Sequence, residues 1–170
     1  RLYMETLIGG RQKLIQNKYP NSRSSQSFMK TVDQLLAEKN YRLETIPPNM
    51  HVFDALKLML DKDIGSLLVI EFSKLAGIFT ERDYARKLVL QGRSSQNTLV
   101  RDVMSTKLIT VKPTDTLDFC MKLVTEKRIR HLPVMDNDRL IGMLSIGDLV
   151  KAAMSEQAAT IAQLEAYINS

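Results

Sequence analysis

The feature that most constrains this chain is a seven-residue block that occurs twice, sixty-five residues apart. Gly77-Ile78-Phe79-Thr80-Glu81-Arg82-Asp83 is matched by Gly142-Met143-Leu144-Ser145-Ile146-Gly147-Asp148, with glycine, hydroxyl residue and aspartate in the same places. The register extends beyond the block. Pro48 pairs with Pro113, Val52 with Leu117, Ile64 with Ile129, Leu67 with Leu132, Val69 with Val134 and Leu75 with Leu140. A constant offset held without a gap over about forty residues marks a duplicated structural unit. Two copies of one unit bury their exposed sheet faces on each other, which predicts a pseudo-twofold pair with two related clefts.

The local patterns fill in the unit. Val32, Leu35 and Leu36 mark a short amphipathic helix from Thr31 to Lys39, and Leu43–Ile46 is a brief strand ended by Pro47-Pro48. Helical spacing of Val52, Ala55, Leu56 and Met59 predicts a helix over 51–61. Two β-rich runs follow, Ile64–Ile70 and Leu75–Phe79, separated by a turn at Phe72-Ser73-Lys74. Thr80 then caps a helix expected to reach about Leu90, with Glu81 and Asp83 in the first turn, where the helix dipole favours them. After a loop at 91–97, the second copy repeats the order. A leader helix spans Thr98–Met104, a strand Leu108–Val111, a helix 115–126 and strands Leu132–Met135 and Leu140–Leu144, and Ser145 caps a further helix. Each copy therefore has the order strand, helix, strand, strand, helix, an α/β fold of two βαββα repeats. Ala158, Ile161, Leu164 and Ile168 form one stripe, predicting an extra C-terminal helix over 155–170 that lies against a partner subunit. The domains expected are 29–92 and 93–154.

Net charge is +5, but its position removes most of its meaning. Residues 1–28 hold Arg1, Arg11, Lys13, Lys18 and Arg23 against Glu5 alone, so the repeats are nearly neutral and offer no basic face for nucleic acid. The same stretch carries the run Asn21–Ser27 and does not match the repeat. It is expected to be vector-derived or disordered, with Met29 as the natural start; a basic targeting extension is the alternative. No run approaches eighteen apolar residues, so no membrane span is expected. The lone Cys120 forms no disulfide within the chain and sits in a helical pattern as a small hydrophobe; the expected location is cytoplasmic.

In each motif a strand ends, a hydroxyl residue caps the next helix, and the first amides of that helix point at whatever lies there, an arrangement that favours a phosphate. Thr80 and Ser145 add a hydroxyl. Asp83 and Asp148, one turn in, are acceptors for a pair of vicinal hydroxyls such as those of a ribose. The competing reading makes the same residues caps and first-turn charges only. Gly77 and Gly142 leave room for close approach of a ligand or of the neighbouring copy. Two histidines and one cysteine cannot build a three-ligand metal site, and no nucleophile with its base is visible. The blocks are neither a phosphate-binding P-loop nor a Gly-x-Gly-x-x-Gly turn.

These blocks, with Pro48, Pro113, Thr80–Tyr84, Gln91–Ser95 and Arg128–Val134, resemble the cystathionine beta-synthase (CBS) domain over about residues 30–155, particularly the stand-alone CBS pairs of bacteria and similar proteins of plant organelles. The resemblance implies a non-enzymatic sensor that binds an adenine nucleotide (AMP, or ADP, ATP or NAD) between the lobes and signals to an unidentified partner protein, as a homodimer. It implies that the aspartate, Asp83 or Asp148, binds the ribose and that Thr80 or Ser145 lies at the phosphate. It adds Arg130 or His131, whose counterparts are Gly65 and Ser66, as a phosphate contact. Arg82 serves the phosphate or makes a surface ion pair, and the Arg93-Ser94-Ser95 loop covers the phosphate or merely joins the repeats. Which cleft is used stays open, and a structural or interaction pair with empty clefts is the alternative.

Overall fold

The computed structural model describes residues 30–39 and 43–169; the extension expected over 1–28 and the start expected at Met29 lie outside them. Helix α1 (Val32–Glu38) opens with a reciprocal cap in which the Gln34 amide donates to Thr31 Oγ1 and the Thr31 amide to Gln34 Oε1. Strand β1 (Thr45–Ile46) precedes α2 (Val52–Lys62), which ends at Asp63 in the left-handed region, φ 52°. Strands β2 (Ser66–Glu71) and β3 (Lys74–Thr80) form a hairpin, and α3 (Glu81–Lys87) follows at once. In the second repeat, α4 (Leu117–Lys127) ends at Arg128 with φ 53°, and β4 (His131–Asp136) and β5 (Arg139–Ser145) make the matching hairpin.

The duplication is visible in detail. Ser66 lies opposite Thr80 and His131 opposite Ser145, and each hairpin shifts register at the same point, between Val69 and Ile70 and between Val134 and Met135. β1 adds to β2 in parallel. Its expected counterpart over Leu108–Val111 shrinks to one bridge, Val111 beside Val134, with the Val111 amide donating to Pro133 O and the Met135 amide to Val111 O. The next rung toward Ile109 requires an N–H from residue 133, and proline has none.

Three other expectations change. α3 stops at Lys87 and gives way to a 3-10 turn, Val89–Gln91, closed by Gly92 at φ 64°. The second leader is a 3-10 turn, Val100–Asp102, rather than a helix. α5 (Ile146–Ile168) runs unbroken, so the helix expected after residue 154 continues the one capped by Ser145.

The leaders cross over. Val32 and Leu35 of α1 pack in the core of the second repeat with Val111, Leu117, Leu132 and Leu144. Val100 and Val103 pack in the first, with Val52, Leu67 and Phe79. Backbone hydrogen bonds fix both crossings, from Val32 N to Asp115 O and from Val52 N to Thr98 O. Between the sheets, Leu68, Ile78 and Met143 form a third apolar cluster. The two repeats thus share one body, and the motifs face each other across its seam.

Candidate functional site

Two clefts open along the seam. The first, about 500 Å³, lies between the end of β3 and start of α3 on one side and the C-terminus of α4, the start of β4 and the segment after Ser105 on the other. Its size suits a small organic ligand. Arg82, Lys107, Arg128 and Arg130 line it against only two carboxylates, Glu81 and Asp83. Thr80 and His131 line it as well, and Leu108, Ile109 and Ile129 supply apolar surface. Arg82 Nη1 donates to Arg128 O at 3.4 Å, which ties α3 of one repeat to the end of α4 of the other; among the described residues it makes no ion pair.

Asp83 is buried, and its carboxylate is already partnered. Oδ2 accepts from the Thr80 amide (3.1 Å) and hydroxyl (2.8 Å); Oδ1 accepts from Ser105 Oγ (2.9 Å) and pairs with Lys87 Nζ (2.7 Å). The helix start is less open than its sequence predicts. The Glu81 amide donates to Gly65 O and the Asp83 amide to Thr80 Oγ1, so an anion in this cleft depends chiefly on side-chain cations.

The second cleft, about 660 Å³, lies on the other side of the hairpins and holds Ser145 and Asp148. The sixty-five-residue offset places Asp63 where the first cleft has Arg128, and Gly65 where it has Arg130. Glu38, Asp63 and Asp148 face Lys39 and Lys151, so the balance of charge is reversed. Asp148 Oδ2 accepts from the Ser145 amide (2.6 Å) and hydroxyl (2.8 Å) and pairs with Lys39 Nζ (2.6 Å), which also donates to Met143 O (2.9 Å). Burial works to raise the Asp148 pKa, but the hydrogen bonds from Lys39 and Ser145 outweigh it and hold the carboxyl below its ordinary value.

His131 belongs to both walls. Burial first, then the positive charges of Lys39 and Arg130, depress its pKa against the smaller opposing pull of Asp148. The imidazole is therefore neutral at neutral pH.

Of the residues expected from the sequence, Thr80, Arg82, Asp83, Arg130, His131 and Ser145 line the first cleft, while Asp148 lies in the second with Ser145 and His131. Arg93 instead approaches Asp102 at 3.9 Å, and Ser95 O accepts from the Phe53 amide, so that loop joins the repeats and covers neither cleft. The sequence reading missed Lys107, Arg128 and Lys39. The offset alone exposes Arg128, since it replaces Asp63 in an otherwise matched position. Lys39 enters only through the crossing of α1, which no local pattern records. Among the described residues no cluster of His, Cys, Asp or Glu could hold a metal, and no helix is long and apolar enough to cross a membrane.

A family model of the CBS domain matches residues 35–90 and 100–155. CBS domain-containing protein CBSX3, mitochondrial, of Arabidopsis thaliana is 48% identical over 122 residues, 69% of this chain; the chain spans 59% of the length of that relative. A solved structure described as a signal-transduction protein with CBS domains, from Burkholderia ambifaria, is 50% identical with a TM-score of 0.72, covering 75% of this chain and 96% of that one. The CBS domain pair of protein MJ0100, solved in complex with 5-methylthioadenosine and S-adenosyl-L-methionine, matches at 21% identity and a TM-score of 0.67, over 75% of this chain and 98% of that one. That likeness is one of fold alone.

Proposed function

The chain belongs to the CBS domain family and carries the domain twice, and from that premise we propose that it is a non-enzymatic regulatory module binding an adenine nucleotide in the Asp83 cleft. AMP is the first choice, and ADP, ATP or the AMP half of NAD are chemically allied. The observation that carries the reading is the one-sided charge: four cationic side chains converge on this cleft and not on its twin. Arg130 and Arg82 hold the phosphate, the Thr80 hydroxyl turning to it from Asp83 Oδ2, and Lys107 and Arg128 add to the field. Asp83 accepts the ribose hydroxyls, the incoming sugar replacing the Ser105 hydroxyl on Oδ1. Ser145 and His131 reach the same ligand from the far wall, His131 as a neutral donor, while Asp148, the matching aspartate, lies in the other cleft paired with Lys39. The likeness of fold to a pair solved with adenosine compounds is consistent with this ligand class.

The cleft joins α3 of the first repeat to α4 and β4 of the second, so a bound nucleotide favours one arrangement of the lobes over another. The output goes to a partner protein. A homodimer is the working assembly, with the exposed Val150, Met154, Ile161 and Leu164 of α5 as its apolar surface. Its compartment is the cytoplasm, or the mitochondrion if it follows its plant relative.

The test is calorimetric titration of AMP and of adenosine into wild type and Arg130→Ala. Loss of one charge-assisted phosphate contact weakens AMP about tenfold or more, while adenosine is nearly unaffected. Equal losses for both ligands contradict the phosphate role. A structural pair with empty clefts is the second reading, favoured by the fact that Asp83 already has protein donors on both oxygens; absence of any heat or shift with AMP, ATP and NAD would favour it.

A further inference from the structure

We propose that the Lys39 side chain is the internal occupant of the second cleft: its ammonium holds the place on Asp148 that a ribose would take, so the wild-type chain carries ligand in one cleft only. The inference rests on reading the motif aspartates as ribose acceptors, and it adds what decides between them.

Lys39 caps the C-terminus of α1, and α1 is anchored in the second repeat by buried Val32 and Leu35. A fixed element thus delivers the ammonium to the seam. It donates to Asp148 Oδ2 and to Met143 O, with its side chain only 17% exposed. The two clefts differ here in kind. In the first, the lysine on the aspartate is Lys87, four residues along the same helix, tied to the carbonyls of Val103 and Met104 and absent from the cleft wall. The group that faces that cleft is the Ser105 hydroxyl, which a sugar hydroxyl replaces like for like. In the second, the lysine itself forms the wall, and a sugar must break a shielded ammonium–carboxylate pair to reach Asp148. Phosphate attraction offsets that loss less than in the first cleft, because Asp63 stands where the first cleft has Arg128 and Lys151 is the one other cation among the described residues of the wall. The repeat itself gives no counterpart: sixty-five residues after Lys39 comes Met104.

The experiment titrates adenosine, which has no phosphate to bias the comparison, into wild type, Lys39→Met, Lys39→Gln and Lys39→Met/Asp148→Ala, counting sites per chain by calorimetry. The expected result is no more than one site in wild type, one additional site in either Lys39 variant, and loss of that site in the double variant. Two sites in wild type overturn the proposal, as does failure of both Lys39 variants to gain one. The readings fail separately. Absence of a site in wild type that gains one on removing Lys39 contradicts binding at Asp83 while supporting the role of Lys39. A wild-type site lost in Asp83→Ala, with no gain in the Lys39 variants, does the reverse.

Discussion

His131 and Asp148 line the same cleft, and the folded chain lowers the pKa of each. The imidazole pKa is depressed in the folded chain, so between that value and the ordinary 6.5 the unfolded chain binds more protons. Stability therefore falls as pH drops below about 6.5. Asp148 has a folded pKa below its ordinary value, so its contribution is intact above the ordinary carboxylate range and is lost as pH falls through the folded value. Both effects weaken the fold in acid, in successive windows. Titration of the His131 ring followed by NMR is expected to give a midpoint below 6.5 in the free protein and a higher one with AMP bound, since the phosphate favours the charged ring. A free midpoint at or above 6.5 contradicts the half-buried, cation-flanked placement. At this scale the sequence exposes the hydroxyls and aspartates, because a repeated motif carries them. It hides Lys39 and Lys107, whose positions at the seam depend on leaders that cross between repeats.

The elements explain why each motif begins with glycine. A Cβ on Gly77 would lie 2.6 Å from Met104 Sδ and 3.0 Å from the Ser105 carbonyl oxygen; one on Gly142 would meet the Leu36 methyls at 2.7 and 2.9 Å. In both repeats the close approach is made by the crossing leader. At Gly77 the obstacle includes backbone that is itself bonded to β3, through Ile78 N to Ser105 O and Ser105 N to Ile78 O. At Gly142 it is the end of a flexible side chain. Gly77→Ala is therefore expected to cost about 1–3 kcal/mol and Gly142→Ala clearly less, as strain relieved by moving backbone exceeds that relieved by a rotamer. Denaturant unfolding of the two variants checks the order, and equal or reversed losses contradict this packing. The hairpins and the starts of α1 to α5 are legible from periodicity and caps, but the early end of α3 and the unbroken run of α5 are not. The missing strand over Leu108–Val111 is not legible either, because the cause is the absent N–H of Pro133 on the neighbouring strand. The 3-10 form of the second leader likewise owes nothing to a local signal, since its apolar spacing fits either helix.

At the level of the whole molecule, the repeat gives two clefts, and the residues that differ between its copies make them unequal. Pairing residues across the offset shows the divergence directly: Asp63 against Arg128, Gly65 against Arg130 and Gly147 against Arg82. The overall charge conceals it, because much of the excess lies in residues 1–28 and the seam charges nearly cancel between the two sides. The exposed apolar stripe of α5 extends well past the second repeat and supplies the surface for a second copy in the assembly proposed above. Of the two similar clefts, the one holding Asp83 is proposed to take a ribonucleotide. The most direct test is the affinity of AMP and of 2′-deoxy-AMP for wild type, Asp83→Ala and Asp148→Ala. Asp83→Ala is expected to weaken AMP about tenfold or more and to remove most of the preference for the ribose form, while Asp148→Ala leaves both nearly unchanged. Retention of wild-type affinity by Asp83→Ala, or transfer of the whole loss to Asp148→Ala, would contradict that assignment.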